Sequence, residues 1–179
     1  MIGGVRIVAV PPEFVSVSSL GAIVAEEDTS LVLSADLQLQ DVKEPHDKLI
    51  KQALDTKPKM PGTVVVKGGS PLRFLAIVHD LESNPSWREE WIGRALDNIF
   101  RAAEQRELHS VAIPMLGTLH GSLDKRRFVK LLRDALEQVS LKHLQTIWLI
   151  VPAGTDREVL ENLGVFDITI QDGCGEVSS

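Results

Sequence analysis

A chain of 179 residues that is 44% hydrophobic and 25% charged has enough apolar content for one α/β domain with a sizeable core, and too little length for two. Its net charge of -6 excludes a general cationic field, so nonspecific attachment to DNA, RNA or an anionic membrane is not expected; with 4% aromatic residues and no tyrosine there is also little on which to stack bases. A single cysteine, Cys174, excludes an internal disulfide and a cysteine-rich metal site, which fits a reducing, cytoplasmic setting.

The apolar N-terminus is interrupted by Arg6 and stopped by Pro11-Pro12, so it reads as a strand over Val5 to Val10 and not as a signal or a membrane span. A second strand is expected over Ser19 to Val24, then an acidic turn at Glu26-Glu27-Asp28 and a third short apolar run at Leu31-Val32-Leu33. Beyond the polar stretch Gln38 to Glu44, Pro45 stands at the first position of a helix carrying Leu49, Ile50, Ala53 and Leu54 on one face. Thr63 to Lys67 is β-branched and ends in the turn composition Gly68-Gly69-Ser70-Pro71, and Phe74 to His79 follows as an unbroken apolar strand. Ser86 and Glu89 have capping-box spacing ahead of a helix whose stripe is Ile92, Ala95, Leu96, Ile99 and Ala103.

Ser110 to Ile113 is the next buried strand, and Pro114 to Ser122 is the loop that leads into a helix bearing Phe128, Leu131, Leu132, Ala135, Leu136 and Val139. Thr146 to Val151 is a further strand, Thr155 and Glu158 cap a last helix ending at Gly164, and a short strand is expected over Phe166 to Ile170. The expected domain covers 1–170, leaving 171–179 as a tail with little to bury. Strands alternating with helices, mostly as continuous apolar runs, indicate a three-layer α/β/α domain with a mixed, mostly parallel central sheet. Ligands of such sheets lie beyond the C-terminal ends of the strands.

The loop Gly117-Thr118-Leu119-His120-Gly121-Ser122 is neither a Walker A loop nor a dinucleotide fingerprint. Its place between a buried strand and a helix start aims backbone amides at one point, a ready anion site, and Lys125-Arg126-Arg127 puts three cations at a helix end where the dipole favours acids. His120 has the chemistry to donate to a phosphate or to act as an acid or base, and equally reads as an exposed loop residue. Trp87, Trp91 and Trp148 read as packing groups. His46 and His109 show no metal-ligand spacing, so no metal and no cofactor are expected.

From Leu20 to Val151 the chain resembles the macro domain, the ADP-ribose-binding family. Ala95 to Ala103 leading into His109-Ser110-Val111-Ala112-Ile113-Pro114 is similar to that family's helix and K-S-I-A-x-P strand, and Gly117 to Gly121 to its G-T-G-x-G-G phosphate loop. Gly21-Ala22-Ile23 aligns with the family's G-D-I segment, and Leu33-Ser34-Ala35-Asp36 with its N-A-A-N segment. The family's aspartate that holds the adenine amino group is Ala22 here, so the resemblance implies that this acceptor is lost, while Asp36 can still hydrogen-bond ribose hydroxyls. The resemblance also implies a diphosphate loop over Leu37 to His46, which holds no glycine to let backbone approach a phosphate. Asp47 matches a family aspartate and also reads as a first-turn helix acid.

Ligand contacts are therefore expected at Ala35, Asp36, Gly117, Thr118, Leu119, His120, Gly121 and Ser122, with no catalytic residue assigned. Three readings stand: a divergent binding module for a nucleotide or other phosphorylated small molecule, a ligand-free scaffold for protein contacts, and a hydrolase of an ADP-ribose derivative using Asp36, Asp47 or His120. The sequence leaves the oligomeric state open.

Overall fold

The structure, a computed structural model, describes residues 1–14, 19–33 and 57–164. Its strands are Arg6–Val10 (β1), Ala22–Asp28 (β2), Val64–Lys67 (β3), Leu72–His79 (β4), Ser110–Pro114 (β5) and Thr146–Ile150 (β6). The helices are Glu89–Gln105 (α1), Lys125–Gln138 (α2) and Arg157–Glu161 (α3), with a 3-10 turn at Pro12–Phe14. The six strands form one sheet in the order β1-β6-β5-β2-β4-β3, with every neighbouring pair parallel except β3 with β4. This is the mixed, mostly parallel sheet that the continuous apolar runs require.

One face of the sheet packs on α1 and α2. Ile92, Ala95, Leu96, Ile99, Phe100 and Ala103 of α1 are buried, as are Phe128, Val129, Leu132, Ala135 and Leu136 of α2, and they meet Ala22, Val24, Phe74, Ala76, Val111, Ile113, Ile147 and Leu149 in a single core. Each fully buried large side chain there contributes about 1.5–3 kcal/mol of transfer free energy. The alternate residues Val8, Val10, Leu75, Ile77 and Ala112 are buried too, outside that core, so the sheet is covered on both faces.

Four local expectations need correction. Glu26-Glu27-Asp28 is not a turn but the end of β2, and Glu27 and Asp28 are fully buried. The Asp28 carboxylate explains how: Oδ1 accepts the Ser30 amide and Oδ2 the amides of Val32 and Leu33, so the acid organises the turn that follows from inside. Leu31 to Leu33 is that turn and not a strand, with Leu31 at φ 59°. The helix expected from Ser122 begins at Lys125, because Asp124 is its cap and accepts the amides of Arg126 and Arg127 at 2.9 and 3.4 Å. Neither capping box forms. Ser86 turns its hydroxyl to His79 Nδ1 at 3.5 Å, while the Thr155 hydroxyl donates to the Pro152 carbonyl. The helix expected after Pro45 and the strand expected after Phe166 lie outside the described residues.

Candidate functional site

Because β1, β6, β5, β2 and β4 run parallel, their C-terminal ends share one edge of the sheet. That edge gathers Val10-Pro11, Val151 to Thr155, Met115 to Ser122, Glu26 to Asp28 and His79. It is the edge where open α/β sheets bind ligands.

The loop after β5 is built on two glycines. Gly117 has φ 78°, and a Cβ there would collide with Ile92 Cδ1 of α1. A Cβ on Gly121 would lie 2.6 Å from both the Gly117 carbonyl oxygen and Trp87 Cδ1. Packing thus requires both glycines, and Gly117 is required by its conformation as well. The Gly117 carbonyl accepts the Leu123 amide at 3.0 Å, and Thr118 directs both its amide and its hydroxyl to the Met115 carbonyl, at 3.2 and 2.7 Å. The amides of Leu119, His120, Gly121 and Ser122 meet no acceptor among the described residues. Leu119 is 76% exposed and leaves the loop open.

The Gly117 amide is already engaged: it donates to Oε1 of Glu26, whose side chain is only 6% exposed. A charge-assisted bond of this kind offsets part of the desolvation of a buried carboxylate. The other oxygen, Oε2, lies 3.5 Å from Nε2 of the buried His79, and neither atom has a hydrogen-bond partner. His120 is exposed, its ring edge-on to that of His79 with centroids 6.2 Å apart.

The basic triplet beside the loop is largely engaged. Arg126 pairs with Glu158 at 3.2 Å, and Arg127 forms a two-pronged pair with Glu89 at 3.0 and 2.7 Å, which draws the Glu89 carboxyl below its usual range. Asp124 accepts the Arg126 and Arg127 amides, two of those that the start of α2 would otherwise offer an anion. Lys125 differs: its Nζ donates to Thr155 Oγ1 at 2.9 Å and, like Arg157 of α3, it meets no carboxylate among the described residues.

Between the ends of β1 and β6 lies a cavity of about 460 Å³, walled by Val10, Pro11, Val151, Pro152, Ala153 and Leu160, with Thr155 and Arg157 as its polar members. A second hollow, of about 510 Å³, shares Gly154 with it and reaches Leu123, Asp124 and Lys125 at the foot of the loop. The cavity walls were not foreseen as site residues. Their signal is topological, since only the pairing of β1 with β6 brings Pro11 beside Pro152.

Of the sequence-derived site residues, Gly117, Thr118, Leu119, His120, Gly121 and Ser122 lie together in the loop at the C-terminal edge of the sheet. Ala35 and Asp36 lie outside the described residues, as do His46 and Asp47. The strand end that abuts the loop is Glu26 to Asp28. His109 is remote, at the N-terminal end of β5, with Nδ1 3.2 Å from the His143 carbonyl oxygen. Trp87 packs on the core; Trp91 is half-buried beneath the Arg88 guanidinium at 5.1 Å, and Trp148 is half-buried within β6. Among the described residues, no helix is long and apolar enough to cross a membrane.

No known family's sequence pattern matches the chain, and no curated protein matches it by sequence. Solved structures do. A mutant Oceanobacillus iheyensis macrodomain with ADPR superposes with a TM-score of 0.65 at 13% identity, over 92% of this chain and 95% of that one. The macrodomain of Thermus aquaticus DarG superposes with a TM-score of 0.59 at 18% identity, over 83% of this chain and 98% of that one. The O. iheyensis macrodomain with ADP gives a TM-score of 0.62 at 15% identity, over 82% and 84%. Sheet order, the loop after β5 and these superpositions agree: the chain has the macrodomain fold, in a form divergent in sequence.

Proposed function

We propose that the chain binds a nucleotide or other phosphorylated small molecule across the C-terminal edge of its sheet. The amides of Leu119, His120, Gly121 and Ser122 take a phosphate, and the cavity between β1 and β6 takes the apolar part of the ligand. The observation that carries this reading is the juxtaposition of four loop amides that meet no acceptor among the described residues with an apolar-walled cavity of about 460 Å³ one strand away. Such a volume is in the range of small-ligand sites. Lys125 and Arg157, which meet no carboxylate among the described residues, add positive charge on the same rim. ADPR and ADP in structures of the same fold support a ligand of this type.

A second reading, a scaffold that has the fold without the ligand, draws on Glu26 and Asp124, which occupy amides that an anion would otherwise use. Calorimetric titration with ADP-ribose, AMP and inorganic phosphate separates the two. The binding reading expects saturable heat from at least one of them. Silence from all three at about 1 mM, where even 4 kcal/mol of affinity would register, rejects it in favour of the scaffold.

A further inference from the structure

We infer that Glu26 is the residue that sets which phosphorylated ligands this site accepts, and that it selects a single phosphate over a diphosphate. The inference rests on the binding reading above and narrows its ligand class. The loop after β5 has an inner end, the Gly117 amide, and an outer end, the amides of Leu119 to Ser122. Glu26 Oε1 occupies the inner end, standing where a second phosphoryl oxygen would have to accept.

The charge of that carboxylate is poorly compensated. Its side chain is 6% exposed, no lysine or arginine among the described residues pairs with it, and Oε2 has no hydrogen-bond partner. The nearest counter-group is His79 Nε2 at 3.5 Å, itself unbonded and buried. A second phosphoryl group directed along the loop towards Gly117 would meet a buried like charge and find its donor taken. Like-charge juxtaposition of this kind costs enough to dominate selectivity. A single phosphate held by the outer amides, with Lys125 and Arg157 on the rim, avoids both penalties.

The neighbouring groups argue that this is a selectivity device and not a generic core pair. The Glu26 contact with Gly117 spans 91 residues of sequence and joins the ends of the adjacent strands β2 and β5, while its other oxygen faces His79 at the end of β4.

The test is calorimetry with AMP and ADP on the wild-type chain and on Glu26→Gln, which keeps the side-chain shape and an oxygen for the Gly117 amide while removing the charge. Circular dichroism melting checks that the variant is folded, and Glu26→Ala serves if it is not. The wild type is expected to prefer AMP over ADP, and the variant to shift that preference towards ADP by at least about tenfold. A preference that is the same in both proteins overturns the inference, as does a folded variant that still fails to bind ADP. The binding reading is judged separately, on the wild type with AMP: loss of selectivity change with AMP still bound refutes only the role of Glu26. Failure of the wild type to bind either nucleotide refutes the binding reading and, with it, the selectivity assigned to Glu26.

Discussion

Glu104, in the last turn of α1, offers the sharpest energetic test of the fold. Its carboxylate accepts three consecutive amides of the segment that leads into β6: Lys142 at 3.0 Å, His143 at 2.9 Å and Leu144 at 2.8 Å; His143 Nδ1 lies 3.3 Å away. Burial alone would push its pKa up, but the Leu144, Lys142 and His143 amides and the His143 side chain outweigh it and hold the pKa at about 2, against 4.5 for an ordinary glutamate. At 1.36 kcal/mol per pH unit, this corresponds to about 3 kcal/mol of folding free energy. Because the folded-state pKa is depressed, that contribution is complete above pH 4.5 and is lost as pH falls from there towards 2. Glu104→Gln should therefore lower the unfolding free energy by about 2–3 kcal/mol at pH 7, and the gap to wild type should close as pH approaches 2. Urea denaturation of both proteins at a series of pH values measures it. A difference below about 0.5 kcal/mol at pH 7, or one that does not narrow in acid, refutes the reasoning.

Two further outcomes follow from the loop and from α2. Gly117→Ala places a Cβ against Ile92 Cδ1 at a φ of 78°, so it should destabilise by about 2–4 kcal/mol in urea denaturation; a neutral effect would mean that the loop is not closed on α1 as described. Asp124→Ala frees the Arg126 and Arg127 amides and should cost about 1 kcal/mol in stability. It should also make the melting temperature respond to phosphate more strongly than in wild type, since the helix start then becomes available to an anion; equal responses would show that Asp124 was not occupying that position.

The periodic parts of this fold could be read directly from the residues, because apolar spacing reports burial. The stripe Ile92, Ala95, Leu96, Ile99 and Ala103 and the strands around Phe74, Val111 and Ile147 are buried as their patterns require. Where polarity was the guide, it misled for a physical reason. Glu26-Glu27-Asp28 carries the composition of an exposed turn, yet Asp28 takes three amides and one oxygen of Glu26 takes the Gly117 amide, so these acids are held inside the fold by backbone donors. The same holds at the start of α2, where Asp124 supplies the cap. The loop Gly117 to Ser122 was legible because its glycines and its place between strand and helix are local. The cavity beside Pro11 and Pro152 was not, since it exists only through the pairing of the first strand with the last.

The central claim is that one ligand spans the outer loop amides and the cavity between β1 and β6. Titrating uniformly ¹⁵N-labelled protein with AMP and following the amide resonances tests it most directly. The account predicts saturable shifts at Leu119, His120, Gly121 and Ser122 together with Val10, Ala153 and Thr155, all at one dissociation constant. Shifts confined to other surfaces, or no saturable shift at these positions, would contradict it.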